Sequence, residues 1–139
     1  MENKNVSLQI SAYSYKCITE ISDKKYKAKY KTIAKKLGQM ILKNGLIQTL
    51  VFLHSKNKDE HKQLIKHLVK WWEKTSRLDG SLVTKEIDYE DEEMSTANQK
   101  ALEKVTQLSS KNYKLYTKES LKLSIWLARL ADGMIADEE

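Results

Sequence analysis

Lys29, Lys36 and Lys43 recur every seven residues. An α-helix rises about 1.5 Å per residue, so this spacing sets three ammonium groups about 10.5 Å apart along one flank. The chemistry it offers is charge contact with a polyanion, because a row of lysines neutralises successive phosphates and releases their counterions. Lys25 falls on the same flank, and Arg77 and Arg129, the only arginines among 25 basic residues, are further cationic candidates. Lysine lacks the planar fork that reads a base edge bidentately, so the predicted contact is to nucleic-acid backbone and indifferent to sequence. Tyr13, Tyr26 and Tyr30 lie on apolar rows and read as core, which leaves Tyr15 as the one tyrosine of this group free to stack on a base. The same lysines also suit a solvated surface that binds nothing, and charge alone does not separate these readings.

Other chemistry is poorly provided for. His61 and His67 stand six residues apart, about 120° out of alignment on a helix, so they form no i, i+4 metal pair. The chain has no Gly-rich phosphate loop, no G-x-S-x-G, no H-E-x-x-H and no Cys-His nucleophile context. The acidic run Glu86 to Glu93 lacks the alternating pattern of a calcium loop. The expectation is a protein that is not an enzyme, with no catalytic residues, metal, cofactor or small-molecule substrate.

The element that must position the lysines is Tyr26 to Leu53. With Tyr26 at zero on a helical wheel, Tyr30, Ile33, Ala34, Leu37, Met40 and Ile41 fall within about 80° of it, the stripe of a core-facing helix. Lys25, Lys29, Lys36 and Lys43 gather on one flank, whereas Lys24, Lys31 and Lys35 collect opposite the stripe. Gly45 ends this helix, and Leu46, Ile47, Leu50, Val51 and Leu53 begin a second that folds straight back.

The 139 residues suit one domain able to bury a core unaided, and with no proline and four glycines the helices can run long. An all-α, single compact helical bundle of about five to six helices with one long acidic loop is predicted. Its parts are a basic half over 1–78, an acidic loop over 79–94 and C-terminal helices over 95–136. Residues 1–78 carry 17 Lys/Arg against 6 Asp/Glu, and residues 79–139 carry 8 against 13. Such lopsidedness suits a subunit touching a polyanion on one side and proteins on another. Cys17 is the lone cysteine and sits on the row Val6, Ile10, Tyr13, Cys17, Ile21, so a packed thiol in a reducing, cytoplasmic setting is expected. No stretch approaches a membrane span, and the N-terminal MENKNVSLQ has no export signal.

Ser22 or Asp23 is a candidate cap between the first two helices, Asn57 or Asp59 opens a helix to Arg77, and Ser95 or Thr96 caps another to Leu108. The helix that opens at Asn57 or Asp59 points His61, Leu64, Leu68, Trp71 or Trp72, and Thr75 inward. A last helix opens at Thr117. It is apolar on two adjoining stripes, Leu123, Trp126, Leu127, Leu130 and Met134 beside Leu121, Ile125 and Ala128. That is more apolar width than a peripheral helix hides, so the first stripe is expected to dock on a neighbouring copy or another subunit.

At AKKLGQMILKNGLIQTLVFL, residues 34–53, the chain resembles the small all-helical subunit of the type III-B (Cmr) CRISPR RNA-guided effector complex, with its run of A-x-x-L, M-I, N-G-L, T-L and F-L. Tyr116, Thr117, Glu119, Leu121 and the pair Trp126-Leu127 are similar to that family's closing helix. The resemblance implies a subunit without an active site that sits beside copies of itself along the middle of an antiviral ribonucleoprotein. It helps contain guide RNA and target RNA, while cleavage and signalling belong to other subunits. Carried onto this chain, that role falls to Lys25, Lys29, Lys36 and Lys43, with Arg77 and Arg129 as further RNA-binding candidates and the acidic half facing neighbouring subunits. The alternatives are the small subunit of a type III-A complex, a helical DNA-binding regulator and a protein-only helical adaptor. Leu46-Ile47-Gln48 is too apolar to start a recognition helix.

Overall fold

The computed structural model describes residues 5–137. The start of the N-terminal segment, residues 1–4, and the glutamates at 138–139, all counted in the charges above, lie outside them. Among the described residues there is no strand, and the helices are α1 (Val6–Ile21), α2 (Lys27–Asn44), α3 (Leu46–Lys56), α4 (Asp59–Lys74), α5 (Ser81–Thr84), α6 (Met94–Val105) and α7 (Ser110–Met134). The all-α bundle is as predicted. The element beyond the expected five or six is the single turn α5, inside the acidic connection.

The breaks between helices have local causes. α1 and α2 are separate: the Ser22 hydroxyl donates to Thr19 O (2.8 Å), so it closes α1 and caps nothing in α2. Gly45 sits at φ 86°, a region that side chains avoid and glycine enters freely. Immediately after it, the Ile47 amide, one of the orphan donors of a helix start, donates to the Tyr113 hydroxyl of α7 (3.0 Å). Asn57 adopts the left-handed conformation at φ 52° and closes α3, where an N-cap for α4 was expected. Glu93, and neither Ser95 nor Thr96, precedes α6, and Ser95 Oγ instead donates to Asn57 Oδ1 (2.8 Å). α7 begins at Ser110, capped by the Ser109 hydroxyl, which accepts from the Asn112 amide. It starts well before Thr117 because its first turns are fixed by long-range bonds: Tyr113 caps α3, and the Tyr116 hydroxyl donates to Asp79 O (2.5 Å).

α4 runs through the middle of the molecule, touching α2, α3, α5, α6 and α7. Both Trp71 and Trp72 are therefore fully buried, where the helical wheel had allowed one. Trp71 Nε1 donates to Glu119 Oε1 (3.2 Å) and Trp72 Nε1 to Ser120 Oγ (2.9 Å), so each ring satisfies its polar atom on α7. In α3 the inward row is Leu46, Thr49, Leu50 and Leu53, and Val51, expected inside, is exposed.

The 79–94 stretch is not a uniformly exposed loop. Gly80 packs so closely on the end of α4 that a Cβ there would lie 2.8 Å from Glu73 Cα. Val83 and Thr84 are buried, and the Tyr89 hydroxyl donates to Asn98 Oδ1 (2.5 Å) while Asn98 Nδ2 donates to Lys62 O (3.1 Å). Most of the carboxylates turn outward while Val83, Ile87 and Tyr89 turn inward; Leu82 is exposed, and the half-buried Glu92 pairs with Lys100 (2.6 Å). A short run without a clean period hid that division in the sequence.

Candidate nucleic-acid and subunit interface

α2 buries Tyr30, Ala34, Leu37 and Ile41 and packs along α7, α3 and α4. That orientation gives its two charged flanks different surroundings. On one flank Lys31 is buried against the C-terminal end of α7: its Nζ donates to Ile135 O (2.7 Å) and lies 2.8 Å from Asp137 Oδ1. Lys35 Nζ, one turn on, donates to Asp132 Oδ1 (2.9 Å). The hydrogen bond from Lys35 holds the Asp132 carboxyl below its usual range, and that from Lys31 does the same for Asp137. These two lysines were expected to face solvent; Lys31 instead serves as a cation at a helix C-terminus, where carbonyls lack partners.

On the other flank Lys29, Lys36 and Lys43 are exposed on α2, and Lys25 is exposed in the turn that precedes it. Among the described residues none of the four lies in an ion pair. Between this row and α3 runs a groove of about 430 Å³ lined by Ile33, Lys36, Met40, Asn44, Gln48, Thr49, Phe52 and His61. Sequence reasoning passed over Phe52, which is 43% exposed. Its only sequence signal is an aromatic residue adjoining the exposed side of a short amphipathic helix.

The two arginines part company. Arg77 forms a bidentate pair with Glu119, Nε to Oε2 and Nη2 to Oε1, both 2.6 Å, and Glu119 is itself buried. Arg77 was expected among the cationic RNA-binding candidates; its guanidinium is instead engaged within the fold by Glu119. Arg129 is exposed on α7.

The apolar stripe of α7 also divides. Leu123 and Leu127 have no accessible surface; they belong to the core and offer nothing to a partner. Trp126 and Leu130 are half-buried, Met134 is 39% exposed, and Ile125 of the adjoining stripe is 51% exposed. Ile125 and Trp126, with Val6 and Ile10 of α1 and with Arg77, line a shallow groove of about 220 Å³.

The titratable groups inside the bundle are tied to its architecture. His67 accepts at Nδ1 from the Tyr30 hydroxyl (2.6 Å) and donates from Nε2 to Glu20 Oε1 (2.8 Å), while the Tyr13 hydroxyl donates to His67 O (2.6 Å). Burial lowers the His67 pKa, outweighing the Glu20 carboxylate, so the ring is neutral and fastens α1, α2 and α4 together. The Cys17 thiol is pushed up to about 12 by burial, which removes its nucleophilic form at neutral pH. No group of three or more His, Cys, Asp or Glu side chains among the described residues is arranged to hold a metal ion.

A family model described as CRISPR-associated protein (Cas_Cmr5) matches residues 6–134, nearly the whole described chain. The chain belongs to the Cmr5 family. A crystal structure of a CRISPR-associated Cmr5 family protein from Thermus thermophilus superposes with a TM-score of 0.71 at 20% identity, covering 96% of this chain and 100% of that one. The likeness in structure shows that the two share a fold. Family membership makes the chain a small subunit of the Cmr, type III-B, CRISPR effector, associated with other Cmr subunits. It sets aside the type III-A small subunit and the stand-alone regulator. Among the described residues no helix is long and apolar enough to cross a membrane.

Proposed function

We propose that this Cmr5 subunit is a non-catalytic, RNA-facing structural component of its effector, acting in the cytoplasm. The row Lys29, Lys36 and Lys43 of α2, with Lys25 before it, follows the phosphate backbone of target or guide-paired RNA. The observation that carries this reading is the contrast along α2. The protein neutralises Lys31 and Lys35 with its own carboxylates, yet no carboxylate among the described residues pairs with the comb. Ile125, with half-buried Trp126 beside it, and Met134, with half-buried Leu130 beside it, are the apolar side chains that α7 leaves accessible, and they dock on a neighbouring copy or another Cmr subunit. The buried, high-pKa thiol and the internally bonded His67 support a role without catalysis.

Binding of single-stranded RNA measured against salt tests the reading. Three neutralised phosphates give a log-log slope of about −2, at roughly −0.7 each on a single strand. Replacing Lys29, Lys36 and Lys43 together by glutamate should abolish binding and slope while leaving the helical signal and the melting temperature near wild type. An unchanged slope would assign the lysines to a solvated face and favour the protein-only adaptor. Ile125→Asp is the companion variant: it should keep RNA binding and lose incorporation into the effector.

A further inference from the structure

We propose that the groove between α2 and α3 is a base-accepting subsite, in which one unstacked nucleobase of the RNA strand packs on Phe52 while the flanking phosphates lie on the lysine row. This deepens the RNA-facing reading and rests on it.

The geometry joins the two parts. Along α2 the order Lys29, Ile33, Lys36, Met40, Lys43 alternates cationic with apolar side chains, so Lys36 is both the middle of the comb and a wall of the groove. A backbone held by the comb therefore passes directly over the groove mouth. The volume of about 430 Å³ falls within the roughly 300–1,000 Å³ of small-molecule sites. Phe52 keeps an exposed ring at the α3 wall, and Lys56 Nζ lies 5.3 Å from its centroid, so one side of the ring already carries a cation. His61 stands edge-on to Phe52, with ring centroids 6.4 Å apart at 72°, and closes the floor. Burial keeps that imidazole neutral, which suits it to an aromatic ligand.

The lining also has the polar groups a base edge needs. Asn44 and Gln48 carry amides that both donate and accept, whereas the Thr49 hydroxyl is already committed to Gly45 O (2.8 Å). Among the described residues no carboxylate lines the groove. An aliphatic side chain from a protein partner would fill the apolar part but leave these amides and Lys36 desolvated without partners, which is costly. A nucleotide satisfies the aromatic face, the amides and the cations together. Stacking on an aromatic side chain tolerates any base, consistent with the scarcity of arginine forks.

The test uses the full chain and a short single-stranded oligoribonucleotide carrying one 2-aminopurine, compared with the same strand bearing an abasic site. Wild type should quench the fluorophore and bind the intact strand more tightly than the abasic one. Phe52→Leu, which keeps an apolar side chain at a half-exposed position, should lose the quench and weaken binding of the intact strand by about fivefold or more. Its affinity for the abasic strand and its salt slope should stay at wild-type values. If wild type binds RNA with the expected slope but Phe52→Leu leaves quench and affinity unchanged, the subsite is refuted while the backbone reading stands. If wild type binds no RNA, both fall. Normal RNA binding by Phe52→Leu together with failure to enter the effector would assign the groove to a protein partner and overturn the proposal.

Discussion

α2 presents the same residue type on two flanks with opposite consequences. Lys31 and Lys35 are held by Asp137, Asp132 and the end of α7, whereas Lys29, Lys36 and Lys43 have no such partner among the described residues. A buried or internally paired lysine has its charge spent on the fold and cannot attract a polyanion; an exposed, unpaired one keeps its field in solvent. Neither residue type nor helical angle distinguishes a binding cation from a structural one. The distinction comes from what the adjoining helix carries where the two meet.

Arg77 sorts with the structural set, and removing it should give the largest effect. Arg77→Ala leaves the buried Glu119 carboxylate facing Trp71 Nε1 alone, which should cost about 3–5 kcal/mol of stability. Urea denaturation reads this loss, and the RNA salt slope should not move under conditions where the variant is folded. A loss of RNA affinity without a loss of stability would return Arg77 to the binding set and break the comparison.

Lys31→Met is next. It keeps the apolar stem but removes the donor to Ile135 O and the partner of Asp137, for an expected loss of about 1.5–3 kcal/mol, the range for hydrogen bonds to charged groups. Lys36→Met, on the other flank, should change stability by less than about 0.5 kcal/mol, as exposed substitutions do, and should lower RNA affinity. Equal stability losses at the two sites would erase the distinction.

The smallest effect is an acid-side one. The Asp132 and Asp137 carboxyls titrate below their ordinary 3.8 because of Lys35 and Lys31. Their pairs therefore contribute stability that is fully present above that value and is lost as pH falls through the lowered folded values. Both carboxylates are exposed, so solvent screens the contribution and it is modest. A pH series of melting temperatures from 5 down to about 2 should fall more for wild type than for the Lys31→Met/Lys35→Met double variant, whereas the comb triple variant should track wild type. Parallel curves for all three would show that the flank pairs are not formed in solution.

Much of this molecule is determined by local sequence. The apolar period of Tyr30, Ala34, Leu37 and Ile41 fixes α2 and its buried face, Gly45 fixes the turn into α3, and the absence of proline permits a 25-residue α7. The lysine row follows from the same arithmetic, since side chains outside the stripe must face outward or sideways. Local periodicity could not decide what lies across from each flank. The burial of Lys31, the engagement of Arg77, the withdrawal of Leu123 and Leu127 into the core and the cap that Tyr113 gives α3 all join residues far apart in the chain. Such contacts depend on how α7 lies across α1 and α2. Charge pairing and burial are properties of position in space, and a helix reports only its own angles until its neighbours are in place.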